Sequence, residues 1–450
     1  KKMVKIMINV FSRGTDLPVN ALCGKAGCIT VAAACLQACF SQMITVYTRG
    51  IYMKIISKRL CRNVLLAAVL TLIFAHGTAR AAAARPSADE SAALRSMAGQ
   101  LLLVGFRGES LSGADSVVRD VTHYNLGGVI LFDRDVALGS DRRNIRSVRQ
   151  LAALTAALQK AAQTPLFVAV DQEGGRVARL SPRHGFAALP SAQETGAAAT
   201  TAASADAGSR AGAMLHDVGV NLNFAPVVDV NVRPDNPVIG RAGRSFSADS
   251  EAVARHAQAF LQGMASHGVL GCVKHFPGHG SSAADSHLGV ADISASWNEN
   301  ELVPYRRLLD GGHVQMIMTG HLFNSRLDPD HPATLSRAVI TGLLRGRLGF
   351  GGVVVSDDMQ MKAITDRYGL EQAVALALNA GVDILLFGNN LTYDADIVPE
   401  VVDMIESLVE RGVVPRSRIE ESFARVLRLK ESAGLLPARV RTVQETAGNF

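Results

Sequence analysis

Eight short apolar runs set the rhythm of this chain: Gln100–Phe106, Gly127–Phe132, Pro165–Val170, Val220–Pro226, Val269–Val273, Val314–Met318, Gly352–Val355 and Val382–Phe387. Each ends in a polar or Gly-rich cluster, as a buried strand running into a loop would. Longer helical patterns separate most of them: Ser147–Ala162, Ser204–Asp217, Ser250–Ser266, Asn298–Leu309, Leu335–Arg347 and Leu370–Ala380. Asn298 stands three residues before Glu301 in the spacing of a capping box, and Gly381 follows its helix where a C-cap glycine belongs. Eight strand–helix units predict an α/β fold, a single (β/α)8 barrel with possible irregularities. The stretch Ile397–Ala433 adds one or two closing helices, and the barrel is expected over 93–440. A doubly wound open sheet is the alternative.

The formal charge of +6 invites a reading as a nucleic-acid or membrane binder, but it is unevenly placed. Residues 1–85 hold twelve Lys and Arg and one acid, a charge of +11, so the remainder carries 6 − 11 = −5. Within that segment Met53–Arg62 is basic, Val64–Ala75 is apolar, and Ala79-Arg80-Ala81 has the small-x-small form of a cleavage site. Together these predict a secretory signal peptide over 53–81, too short in its apolar part to span a bilayer. Residues 1–52 are expected to be an upstream extension without a fold, and 82–92 an Ala-rich linker. Five cysteines (Cys23, Cys28, Cys35, Cys39, Cys61) fall before this point, leaving Cys272 alone and no internal disulfide in the mature part.

In a barrel, chemistry gathers where strands end and βα loops begin. The fifth run leads into Lys274-His275-Phe276-Pro277-Gly278-His279-Gly280, and then Asp285-Ser286-His287. Pro277 and Gly278 stop the strand, so Lys274 and His275 belong at its carboxyl end and Asp285 and His287 on the loop above. An Asp two residues before a His can hold one ring nitrogen and leave the other to move a proton. Gly278 and Gly280 are expected to let that loop swing. His275, His279 and His287 could instead ligate a metal, but their spacing matches no common zinc pattern, and no metal or cofactor is predicted. The third run ends in Asp171-Gln172-Glu173-Gly174-Gly175-Arg176, where the Asp171 carboxylate can accept hydrogen bonds from a ligand. The seventh ends in Ser356-Asp357-Asp358, a carboxylate of the kind glycosyl transfer uses as a nucleophile, with Asp358 closer to a helix-cap role. His321, after the sixth run, reads more readily as a hydrogen-bonded supporting group than as a substrate contact. No Walker-type phosphate loop or aromatic nucleic-acid platform stands out.

The stretch 274–287 resembles the signature of glycoside hydrolase family 3, in its N-acetylglucosaminidase branch, and three further segments match in the expected order. The resemblance implies that the Asp285–His287 loop carries the general acid/base, that Lys274 and His275 bind the sugar, and that Asp357 attacks. It implies that Asp171 binds sugar hydroxyls and Arg179 lines the same pocket, with Glu173 and Arg176 structural. In the segment Asn236-Pro237-Val238-Ile239-Gly240-Arg241-Ala242-Gly243-Arg244-Ser245-Phe246, two extra residues precede Arg-Ser-Phe, and Arg244 rather than Arg241 is matched. Arg suits that place because its planar fork can hold a carbonyl or several hydroxyls. The implied protein is a monomeric retaining exo-β-N-acetylglucosaminidase acting on peptidoglycan fragments or chitooligosaccharides. It is expected in the periplasm or outside the cell, with no nucleic-acid partner and no stable membrane span after signal cleavage. A phosphorylase or β-glucosidase of the same family, or a non-catalytic envelope sugar-binding protein, remain as alternatives.

Overall fold

The computed structural model describes residues 87–285 and 289–437. The expected extension, the signal peptide and residues 82–86 of the linker lie outside the described residues. Among those described, no helix is long and apolar enough to cross a membrane.

Eight strands form one sheet: β1 (Leu102–Gly105), β2 (Gly128–Ile130), β3 (Phe167–Val170), β4 (Leu222–Asn223), β5 (Leu270–Phe276), β6 (Met316–Thr319), β7 (Val353–Val355) and β8 (Leu385–Phe387). Their spatial order is β7-β6-β5-β4-β3-β2-β1-β8, and every ladder is parallel. The two end strands meet at a bridge between Val355 and Ile384. At that seam Ser356 N–H donates to the Ile384 carbonyl at 2.9 Å, and Ile384 N–H to Val354 at 3.0 Å. The sheet is thereby closed into a (β/α)8 barrel and the open doubly wound alternative falls. Each strand lies within or overlaps one of the eight apolar runs. Such continuity is what a parallel strand covered on both faces requires. Val168, Val170, Val354 and Leu385 are fully buried, each side chain contributing about 1.5–3 kcal/mol over an exposed one.

The helices depart from expectation in four places. A helix over Ala88–Gln100 begins inside the stretch read as linker, opened by a Ser87–Glu90 capping box, so the first strand starts only at Leu102. A helix over Asp115–His123 follows β1, where no helical pattern was read. The stretch 298–309 splits into a 3₁₀ turn, Glu299–Leu302, and a helix, Val303–Asp310. Ala338–Arg347 is wound as a π-helix. By contrast Leu370–Ala380 has the expected bounds, and Gly381 closes it at φ 113° in the left-handed region. Two closing helices follow, Ile397–Glu410 and Arg416–Ser432.

The last of these reaches the barrel floor. Lys430, fully buried, donates to Gln100 Oε1 at 2.8 Å and to the Gly127 carbonyl at 2.9 Å. Its ammonium also lies 4.9 Å from the centre of the Phe167 ring, a cation–π distance. Gly127 and Gly128 fit here because a side chain would strike Gln100 and Phe167. The floor is therefore plugged, and the open end of the barrel is the one bearing the strands' carboxyl termini.

Candidate active site

At that open end lies a cavity of about 390 Å³, lined by residues from most of the strand ends. Asp171, Arg179, Arg244, Lys274, His275 and Asp357 all face it. Their placement follows from the strands: Asp171 comes directly after β3, Lys274 and His275 are the two residues before the last of β5, and Asp357 follows β7 by two positions. The fifth strand runs to Phe276, three residues beyond the apolar run that revealed it.

The floor of the cavity is an ionic lattice. Lys274 Nζ lies 2.7 Å from Asp171 Oδ1 and 2.8 Å from Glu173 Oε1. Arg244 grips Glu173 with both prongs, Nε to Oε2 at 2.7 Å and Nη2 to Oε1 at 2.8 Å. Burial works against the charge on Lys274, but Asp171 and Glu173 outweigh it and hold the ammonium above the usual lysine range. Burial likewise opposes ionisation of Asp171, and Lys274 with Arg179 reverses it, so this carboxyl sits below its usual range. Glu173 is lowered further, since Arg244 and Lys274 together overcome its burial. All these groups therefore stay charged at neutral pH. Two of the three Nζ donors of Lys274 are taken by carboxylates, and one remains for a ligand. Asp171 Oδ2 is 3.6 Å from Arg179 Nη2, beyond hydrogen-bond range, and can accept from a sugar hydroxyl.

His275 is locked from both sides. Its Nδ1 lies 2.7 Å from Asp229 Oδ2 and its Nε2 lies 3.4 Å from Arg244 Nη2. A guanidinium can only donate, so at this contact Nε2 accepts and Nδ1–H donates to Asp229. The peptide between Lys274 and His275 is cis.

Asp357 accepts the N–H of Asp358 on Oδ1 at 2.8 Å. Asp358 serves the turn that follows, accepting from Gln360 N–H and Gly388 N–H, both at 3.0 Å. His321 is fully buried and away from the cavity; its Nε2 donates to the Asp358 carbonyl at 2.9 Å, bracing the segment that carries Asp357. Arg241 is exposed and Arg244 turns into the cavity. The turn at Gly243 packs on the helix Ala192–Gly196, with Gln193 N–H donating to the Gly243 carbonyl at 3.2 Å.

Two expectations about the loop after β5 need correction. First, Gly278 and Gly280 do not give it room to swing. A side chain at Gly280 would lie 1.6 Å from the Val230 carbonyl oxygen, and one at Gly278 would lie 2.6 Å from Glu301 Cβ. These glycines allow close packing, and the root of the loop is fixed. Second, Asn298 and Glu301 form no capping box. The Asn298 side chain caps Asn300 N–H at 3.0 Å, while the fully buried Glu301 turns inward to Gly280 N–H at 3.0 Å. Asp285 is half-buried on this loop and is not among the residues lining the cavity. His287 lies outside the described residues. Among the described residues, no group of three or more His, Cys, Asp or Glu side chains is arranged to hold a metal ion.

The sequence reading passed over two participants. Asp133, directly after the second apolar run, lines the cavity 3.9 Å from Arg179. Asp229 was visible as a single acid inside Val227-Val228-Asp229-Val230. It is almost fully buried and accepts from His275 N–H at 3.2 Å and His279 N–H at 2.8 Å besides the His275 ring.

Comparison with known proteins gives a consistent family. Beta-hexosaminidase A of Pseudoalteromonas piscicida is 34% identical over 358 residues, 73% of this chain and 57% of that protein. Beta-hexosaminidase LpqI of Mycobacterium tuberculosis (strain ATCC 25618 / H37Rv) is 38% identical over 343 residues, 74% of this chain and 81% of that protein. A solved glycoside hydrolase family 3 beta-N-acetylglucosaminidase from Paenibacillus sp. str. FPU-7 superposes with a TM-score of 0.70 at 35% identity, covering 79% of this chain and 65% of that one. The chain thus spans less than two thirds of the first relative and of that solved structure. The glycosyl hydrolase family 3 N terminal domain matches residues 93–429, the whole barrel from β1 to the last helix, and the chain belongs to glycosyl hydrolase family 3.

Proposed function

We propose that this protein is a β-hexosaminidase, and more finely a retaining exo-β-N-acetylglucosaminidase. The observation that carries the reading is that Asp357 shares one cavity with the Asp171–Lys274–Glu173–Arg244 lattice. A nucleophile and a set of charged sugar-hydroxyl partners therefore face the same space. The names of the relatives, beta-hexosaminidase, support the sugar class.

Asp357 attacks the anomeric carbon as the bond to the departing oxygen breaks, and His287 gives that oxygen its proton. Water then attacks the glycosyl ester, returns a proton to His287 and frees Asp357. Imidazole suits both steps because its ordinary pKa, about 6.5, lies near neutrality, and Asp285 would stabilise the charged ring. The separation rule for paired carboxyls does not apply to a carboxylate–imidazole pair. The substrates we assign are muropeptides or chitin-derived oligosaccharides with a terminal β-linked N-acetylglucosamine, met by a monomeric enzyme after export.

The test is turnover of an aryl β-N-acetylglucosaminide. Asp357→Ala is expected to cut kcat by roughly four orders of magnitude or more, as loss of a covalent nucleophile does. Near-normal turnover would sink the assignment. Running the wild type in phosphate separates hydrolysis from phosphorolysis, since a dominant sugar 1-phosphate would replace the hydrolytic reading. Amino-terminal sequencing of protein from cell fractions tests export, which a cytoplasmic product uncut around Ala81 would refute.

A further inference from the structure

The loop that follows β5 is held at its root by four side chains from three different segments. Asp229 Oδ1 accepts His279 N–H at 2.8 Å. Asn236 Nδ2 donates to the His279 carbonyl at 2.7 Å. Trp297 Nε1 donates to the Pro277 carbonyl at 3.0 Å. Glu301 Oε2 accepts Gly280 N–H at 3.0 Å and Ser281 N–H at 3.3 Å. Of the four, Glu301 reaches farthest along the loop, to the residue four positions before Asp285. It is also the costliest to place there. The side chain is 0% exposed, its Oε1 has no hydrogen-bond partner among the described residues, and it touches neither the cavity nor a cation. A buried carboxylate with one unsatisfied oxygen lowers stability and is retained where it serves something else.

We propose that Glu301 is a positioning residue for proton transfer: it fixes the backbone from which the acid/base segment departs, without contributing to sugar binding. This rests on the reading of Asp285 and His287 as the acid/base pair. The cavity residues Asp171, Glu173, Arg244 and Lys274 hold one another and make no bond to Glu301, so loosening it leaves the sugar lattice intact. The consequence falls on leaving groups that need a proton. Glycosides of a poor leaving group depend on the acid, whereas a 2,4-dinitrophenolate departs without one.

The experiment compares phenyl and 2,4-dinitrophenyl β-N-acetylglucosaminides in the full chain. Glu301→Ala and Glu301→Asp are both made, since the shorter aspartate keeps the carboxyl but withdraws it from the two amides and preserves folding if the alanine variant does not. His287→Ala is the reference for the acid/base reading. The expected result is a fall in kcat/KM for the phenyl glycoside of about 10- to 100-fold, part of the 10²–10⁴ that general acids supply. With the dinitrophenyl glycoside the loss stays within about threefold, and competitive binding of N-acetylglucosamine is unchanged. Glu301→Gln, whose amide oxygen still accepts both N–H groups, recovers phenyl-glycoside turnover. Equal losses on both substrates, or weakened N-acetylglucosamine binding, beside a leaving-group-dependent His287→Ala would overturn the Glu301 role alone. A His287→Ala variant that is itself indifferent to the leaving group would overturn both, by removing the reading beneath.

Discussion

The barrel buries one lysine at each end, and the two are treated in opposite ways. Lys274, at the open end, is 2% exposed and sits between two carboxylates. Lys430, at the floor, is 0% exposed and meets only a side-chain amide oxygen, a backbone carbonyl and a ring face. Burial depresses Lys430 to about 7, with no counter-charge to offset it. The same residue type is thus kept charged beside the cavity and brought near half-charged at neutral pH on the floor. Burial works against both lysines, and only at Lys274 does a counter-charge reverse it.

Breaking the comparison at the upper end has the largest effect. Lys274→Met leaves Asp171 and Glu173 buried without one of their cations, with a loss of about 3–5 kcal/mol of stability. On the proposed role of Lys274 as a donor to the sugar, kcat/KM also falls by about 100-fold. Denaturant unfolding together with steady-state kinetics checks both, and a stable, active methionine variant would show that the lattice is dispensable. At the floor the effect appears in the pH dependence. A lysine whose folded pKa lies below its unfolded value costs most below about 7, and that cost disappears as pH rises toward its unfolded value. Wild-type stability relative to Lys430→Met should therefore climb from pH 7 to pH 9, by up to about 1.4 kcal/mol per unit. Parallel pH curves for the two proteins would contradict the neutral floor lysine.

Glu301 gives the acidic counterpart, with a smaller effect. Burial pushes its carboxyl up to about 7, opposed by the Ser281 and Gly280 donors and helped by nearby Asp229. An acid raised on folding favours the native state fully below its unfolded pKa, and that advantage is lost as pH rises through about 7. Relative to Glu301→Gln, the wild type should lose stability between pH 5 and pH 7.5, by no more than about 1.4 kcal/mol per unit. Thermal unfolding at a series of pH values reads this directly, and a constant difference would mean that Glu301 keeps its charge throughout.

What could be read from the sequence follows the same physics. Strands covered on both faces write themselves as apolar runs, and polar residues just beyond them are easily found; that is how Asp171, Lys274 and Asp357 came to light. The helix Asp115–His123 was missed because only Val117, Asp120 and Val121 of its residues are buried, too few for a clear period. The helix Ala88–Gln100 was missed because alanine and serine give little contrast between its faces. Glu301 was misread for a different reason. Asn-x-x-Glu looks the same whether the carboxylate turns back to cap its own helix or inward to a neighbouring loop, and only the packing of Gly278 and Gly280 decides between them. Asp229 sat inside an apolar run, where one acid gives no sign of the histidine it will hold.

The contact between Lys430 and Gln100 joins residues 330 positions apart in the chain. A ribosome adding about 5–20 residues per second needs roughly 15–70 seconds to travel from one to the other. Throughout that interval the floor of the nascent barrel stands open, with the Gln100 oxygen and the Gly127 carbonyl still waiting for their donor. The stitch that seals the barrel floor therefore waits for the helix Arg416–Ser432, and a chain halted before that helix would present the open end to the quality-control machinery of the cell.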